Sequence, residues 1–281
     1  RGAILQLSEV LRRVESLAPL PRTIIEIEQY RKKEEKEIQE LYEIIKKDAL
    51  LVTNLLKIAN SAMFGFRSKV ETPLRAITLL GINFTISVAI STSSQKLLIS
   101  SLSPYGLSND DFMKASNIAL ALTNLWLNKV NPELKDKLLL PALLQDIGKY
   151  IISDVLILNN KESDFYKKVL ENLKSLQEIE KDFFEFSSSY VTAHIFKHWN
   201  LSQELINTIE FVDDVEKSPI EYKQKAMILD VIKTASNIKE PLSEKSINMA
   251  IKKAKEYKLN DKALIEAINT LKTRLENENI Y

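Results

Sequence analysis

The chain has 281 residues, 45% hydrophobic and 27% charged, with only 5 glycines and 8 prolines, a composition that excludes collagen-like, low-complexity and disordered classes. Basic and acidic side chains, 39 against 38, leave a net charge of +1, so no overall field draws the protein to polyanions or anionic membranes. The absence of cysteine excludes disulfides, thiolate metal sites and thiol nucleophiles, and fits a reducing cytoplasm.

Scarce turn formers and long Leu/Ile/Lys/Glu stretches predict an all-α fold. The chain opens Arg1-Gly2 without an initiator methionine, so a targeting segment removed upstream would not be visible in it. Ile4, Leu7, Val10, Leu11 and Val14 mark a first helix, which Pro19-Leu20-Pro21 stops. Ile24, Ile27 and Tyr30 carry a second helix, and the mixed charges of residues 31–37 read as a solvated connection. Ile38, Leu41 and Ile45 build a third helix, and Asp48 is placed to cap a fourth bearing Leu51, Leu55 and Ala59.

Thr72-Pro73 reads as N-cap and first residue of a helix running on through residues 76–95, with Gly81 inside it marking a close helix contact. Residues 76–95 carry no formal charge over a bilayer-spanning length. Their many Ser, Thr and Asn side chains argue instead for a helix buried in protein. The turn-forming cluster 103–110 divides the chain into an N-terminal helical subdomain, 1–105, and a helical bundle, 106–281. Helices are expected there over 112–127, 138–158, 162–184, 189–199, 203–212 and 220–238, with two more from Ser246.

The most unusual segment is Leu143-Leu144-Gln145-Asp146-Ile147-Gly148-Lys149, a polar pair in the most hydrophobic part of the chain. A buried carboxylate there must be paired, hydrogen-bonded, protonated or metal-bound, and a satisfied structural Asp is favoured over a ligand. His194 and His198 are four apart on one helix face, but no Glu follows His194, and packing or surface roles are favoured. Neither a Gly-x-Ser-x-Gly elbow nor a P-loop is present.

Residues 143–149 resemble the His-Asp-x-Gly-Lys segment of the HD phosphohydrolase superfamily, with Gln145 at the histidine position. Upstream stand Leu17-Ala18-Pro19-Leu20-Pro21, then 48–51, then Leu55-Leu56-Lys57-Ile58-Ala59-Asn60-Ser61-Ala62-Met63-Phe64-Gly65, then Ala76-Ile77-Thr78-Leu79-Leu80-Gly81. Downstream, Trp199-Asn200-Leu201-Ser202 is similar to a Trp-Gly-Leu-Pro turn. This ordered series resembles the HDOD family, HD-related helical modules of bacterial signalling proteins, from about Leu17 to Val212.

The resemblance implies what has become of the HD metal site. Ala115 stands where active relatives have the first histidine, Gln145 at the second, and Asp146 keeps the aspartate. Ser187 and Ser188 stand at an Asp-His pair, and Phe211-Val212, or Val212-Asp213, at a later pair of histidines. The expectation is therefore a degenerate site with no catalytic residue, no metal and no cofactor. The implied role is that of a noncatalytic bacterial regulator in the cytoplasm, acting on a protein partner in a signalling or motility pathway. Lys57, Arg67 and Lys69 are the candidate partner-binding residues. Two alternatives stay open: a weak metal-dependent phosphohydrolase, and a nucleic-acid-binding regulator, which the neutral net charge disfavours.

Overall fold

The computed structural model describes residues 5–98 and 100–278, so Ile4 and the expected outer limits at Arg1 and Tyr281 lie outside the described residues. Every regular element among the described residues is helical, as the composition predicts. The first four helices are α1 (Leu7–Glu15), α2 (Arg22–Arg31), α3 (Ile38–Ile45) and α4 (Ala49–Ala59). Asp48 caps α4 by accepting from the amides of Leu50 and Leu51 at 2.9 and 3.2 Å. The charged connection after α2 is pinned at its base, where Tyr30 Oη donates to the Glu37 carbonyl at 2.8 Å.

Two helices, not one, follow Thr72-Pro73: α5 (Pro73–Leu80) and α6 (Ile82–Leu97), bent by 119° at Gly81. Gly81 adopts φ 89°, ψ 161°, a conformation a side chain would strain, and a Cβ there would touch nothing within 4 Å. Its role is therefore conformational, not the close helix contact expected. The polar groups of α6 are satisfied locally: Thr85, Ser87 and Ser94 donate to the carbonyls four residues back, at 2.7–2.8 Å. No single helix among the described residues is long and apolar enough to cross a membrane.

The remainder comprises α7 (Asn109–Val130), α8 (Pro132–Leu144), α9 (Gly148–Leu158), α10 (Glu162–Glu171), α11 (Leu176–Phe184), α12 (Ser188–His198), α13 (Gln203–Glu210), α14 (Ile220–Ala235), α15 (Glu244–Glu256) and α16 (Asp261–Glu278). The expected helix 138–158 breaks over residues 145–147, and 162–184 breaks at Asn172, whose φ of 52° ends α10 in the left-handed region. A Ser175/Glu178 capping box then restarts the chain as α11.

Helix α8 is the hub, packed against α6, α7 and α14, while α9 packs on α12 and α16 on α7. The first helix crosses to the C-terminal half, where α1 lies on α9 and α12 and Arg13 pairs with Asp154. Two distant motifs meet beside it: His198 Nε2 contacts the Leu17 carbonyl at 2.9 Å and Trp199 Nε1 donates to that of Ala18 at 3.1 Å. Asn200, at a glycine position of the resembled turn, takes φ 53°, which Asn tolerates better than most residues.

Candidate functional site

The α8–α9 turn carries Gln145 and Asp146, and it lies unusually close to the start of α12. A Cβ on Gly148 would sit 2.2 Å from the Ser188 carbonyl, so only glycine fits there. Thr192 locks the junction, since its Oγ1 accepts from the Gly148 amide at 3.0 Å and donates to the Ser188 carbonyl at 2.9 Å.

This close approach surrounds two buried lysines with three carboxylates. Lys149 Nζ donates to Glu180 Oε1 at 2.7 Å and to Ser188 Oγ at 2.8 Å, and lies 3.2 Å from Asp146 Oδ1. Lys233, from the last turn of α14, donates to Asp213 Oδ1 at 2.7 Å and lies 3.4 Å from the same Asp146 oxygen. Asp146 Oδ1 accepts no hydrogen bond of good geometry, so its link to both ammoniums is Coulombic. The Glu180 carboxylate also accepts from Tyr105 Oη at 2.9 Å and from the Ser188 amide at 2.6 Å, satisfying an N-terminal N–H of α12. The Ser189 amide donates to Asp213 Oδ2 at 3.2 Å.

Burial makes these charges interact strongly, since the side chains of Glu180 and Asp213 are 0% exposed and those of Lys149 and Lys233 are 1% and 5%. Burial alone would raise the Asp213 carboxyl, but Lys233 and then Lys149 overcome it and hold it well below the usual carboxylate range. The same balance pushes Lys233 upward: desolvation opposes its charge, and Asp146 and Asp213 outweigh that. Burial, then Glu180, raises the Tyr105 phenol and keeps it a neutral donor.

Of the expected degenerate positions, the structure joins Asp146, Ser188 and Asp213 through this network and sets Ser187 against Ser189, Oγ to Oγ at 3.1 Å. Gln145 is 2% exposed and its Oε1 has no hydrogen-bond partner. Ala115 and Val212 are buried apolar groups, and Phe211 lines an open cavity of about 730 Å³ beside Ser187. Lys149, Glu180, Lys233 and Tyr105 are members that sequence reasoning missed. The signal for the lysines lay in their setting, because Lys149 falls among Ile147, Ile151 and Ile152 and Lys233 among Val231, Ile232 and Ala235, all buried. The site does not fit the divalent ion of HD phosphohydrolases: two ammoniums lie among the carboxylates, and no imidazole contributes. No group of three or more His, Asp or Glu able to hold a metal occurs among the described residues. His198 is taken by Leu17, as above, and His194 packs edge-on to Tyr190 at 4.7 Å.

A second feature surrounds Asn60. Its amide donates to the carbonyls of Leu56 and Val70 and its Oδ1 accepts from the Val70 amide, all at 2.8 Å, folding the loop back onto the end of α4. Gly65 closes that loop at φ 62°, and Arg274 of α16 donates to the Met63 carbonyl at 2.9 Å. Lys57, Arg67, Lys69 and Arg75 stand exposed around it with Phe66. None of these four cations forms an ion pair among the described residues.

Comparison with known proteins agrees with this architecture. An uncharacterized protein of Treponema pallidum (strain Nichols) is 22% identical over 224 residues, 75% of this chain, and the chain spans 40% of that relative's length. A virulence factor from Campylobacter jejuni subsp. jejuni is 28% identical, with a TM-score of 0.56 over 95% of both chains. An HDOD domain protein of unknown function from Geobacter sulfurreducens shares the fold at 14% identity, with a TM-score of 0.67 over 96% of both chains. The HDOD domain model matches residues 17–215, and with the all-helical fold and HD-derived turn described above, the chain belongs to the HDOD family.

Proposed function

We propose that this HDOD chain is a noncatalytic signalling protein of the bacterial cytoplasm that works by binding a protein partner. The observation that carries the reading is that no imidazole reaches the HD centre among the described residues, where Lys233 instead holds Asp213 at 2.7 Å and lies 3.4 Å from Asp146, neutralising carboxylates that would otherwise face a metal or substrate. Ala115, Gln145, Ser187, Ser188 and Val212 offer no imidazole in support of metal-activated water. The proposed recognition face is the loop around Asn60, where Lys57, Arg67 and Lys69, without an ion pair among the described residues, present charge beside an exposed Phe66, a combination suited to an acidic protein surface. In this proposal the helices within 1–105 carry recognition and the bundle within 106–281 supports them.

The test is affinity capture from the native cell, read by mass spectrometry, with two variants. Asp146→Asn keeps side-chain volume, and it is expected to capture the same partner as wild type. A Lys57→Glu/Arg67→Glu/Lys69→Glu variant is expected to fold and lose that partner. Phosphodiesterase or nucleotidase turnover that Asp146→Ala abolishes would replace this reading with a phosphohydrolase.

A further inference from the structure

The cavity of about 730 Å³ beside Ser187 falls in the size range of small-molecule sites, roughly 300–1,000 Å³. The chain entering α1, the end of α11, the start of α12 and the end of α13 wall it. Aromatic rings dominate one side: Phe184, Phe186 and Tyr190 follow one another at centroid separations of 5.7 and 5.6 Å, and Phe211 joins them from the end of α13. The charged lining is unbalanced, because Glu185, Glu210 and Asp214 carry three negative charges and Lys181 and Lys217 two positive ones, leaving one negative charge in excess. Both ammoniums are already committed. Asp214 lies 2.6 Å from Lys217 and 3.6 Å from Lys181, which also donates to the Asp213 carbonyl at 3.3 Å. The carboxylates of Glu185 and Glu210, by contrast, have no ion pair or hydrogen bond among the described residues. Glu210 is half-buried, and burial raises its carboxyl despite the nearby charge of Lys197. An anion entering the cavity would be repelled by that carboxylate, and a neutral ligand would bury it further without a partner. A cation would pair with it and lay apolar substituents on the rings.

We propose that this cavity is a binding site for a small organic cation, an ammonium ion with apolar substituents, held by Glu210 and Glu185 against Phe186, Tyr190 and Phe211. One positive charge brings the lining to neutrality, and the negative faces of the rings attract the same charge that the carboxylates do. None of Asp146, Lys149, Glu180 and Lys233 lines the cavity, so the site is separate from the buried charge network. It shares no residue with the Asn60 loop either, so its failure would leave the partner-binding reading standing, and the failure of that reading would leave the site standing.

The experiment titrates the full chain, without an affinity tag, by calorimetry with three benzyl compounds that differ in charge: benzyltrimethylammonium, benzyl alcohol and phenylacetate. Benzyltrimethylammonium is expected to bind once per chain, at least roughly tenfold more tightly than the other two. Glu210→Gln keeps side-chain volume and is expected to retain the wild-type Tm while losing most of that preference. Phe186→Leu keeps an apolar wall without a ring, and it is expected to weaken binding of the cation and leave that of benzyl alcohol nearly unchanged. Equal binding of all three compounds, a preference for phenylacetate, or no uptake of the cation would overturn the proposal, as would a folded Glu210→Gln variant with the wild-type preference. If Glu210→Gln does not fold, Glu185→Gln takes its place, since Glu185 is exposed. A reduced preference for the cation in that variant supports the site, and an unchanged one overturns it.

Discussion

Lys149 and Lys233 sit almost fully buried among three carboxylates, whereas Lys57 and Lys69 stand in solvent around the Asn60 loop with no ion pair among the described residues. The same side chain thus has opposite consequences in the two regions. Inside, each ammonium is fixed by carboxylates brought in from separate segments of the chain, and removing any partner strands a charge in low dielectric. Outside, water screens each charge, the fold gains almost nothing from it, and it remains free for an incoming surface. The buried region spends its charge on linking distant segments, and the exposed region leaves its charge in solvent, where the proposed recognition would draw on it.

The largest expected effect comes from breaking the inner region. Asp213→Ala leaves Lys233 with only its longer contact to Asp146, and urea unfolding should show a loss of about 3–5 kcal/mol. The pH dependence of that gap sharpens the comparison. Asp213 is held below its ordinary 3.8, so its contribution is present above that pH and is lost as the pH falls below it. Lys233 is held above its ordinary 10.5, so its contribution is full below that pH and is lost as the pH rises further. Thermal unfolding across pH should therefore show the wild-type advantage level through the neutral range and shrinking at both ends. An advantage that already disappears at pH 6 would rule out this ionic account.

A smaller loss is expected at the junction that brings the charges together. Gly148→Ala drives a methyl into the Ser188 carbonyl, and forcing α9 from α12 should cost about 1–3 kcal/mol. The smallest change in stability belongs to the outer region: the Lys57→Glu/Arg67→Glu/Lys69→Glu variant should unfold within about 0.5 kcal/mol of wild type per substitution. A large loss from these exposed changes would erase the distinction between the two regions.

Much of the fold was legible because local rules act over a few residues. Asp48 and Thr72 cap the helices their positions foretold, and the apolar spacing located α1 through α4. Helix interruptions were harder to see. Gly81, Asn172 and the 145–147 turn break helices inside apolar or amphipathic runs whose periodicity continues across the break. The candidate site was half legible: the motif located Asp146 and the loss of histidines, and one of its two alignments put Asp213 at a lost histidine position. It gave no sign that Glu180, 34 positions after Asp146, would bind the lysine three residues after it.

The sequence by itself determined the helical class, the caps, the kinship carried by 17–21, 55–65 and 143–149, and the absence of thiol chemistry, because each depends on residue identity at short spacing. Only the tertiary structure decided that Lys149 and Lys233 would become counter-ions. That outcome requires α9, α11 and α14 to bring ammoniums and carboxylates from positions 31 and 20 residues apart to within 2.7 Å, in a space from which water is excluded. Coulombic strength depends on distance and dielectric, and packing sets both.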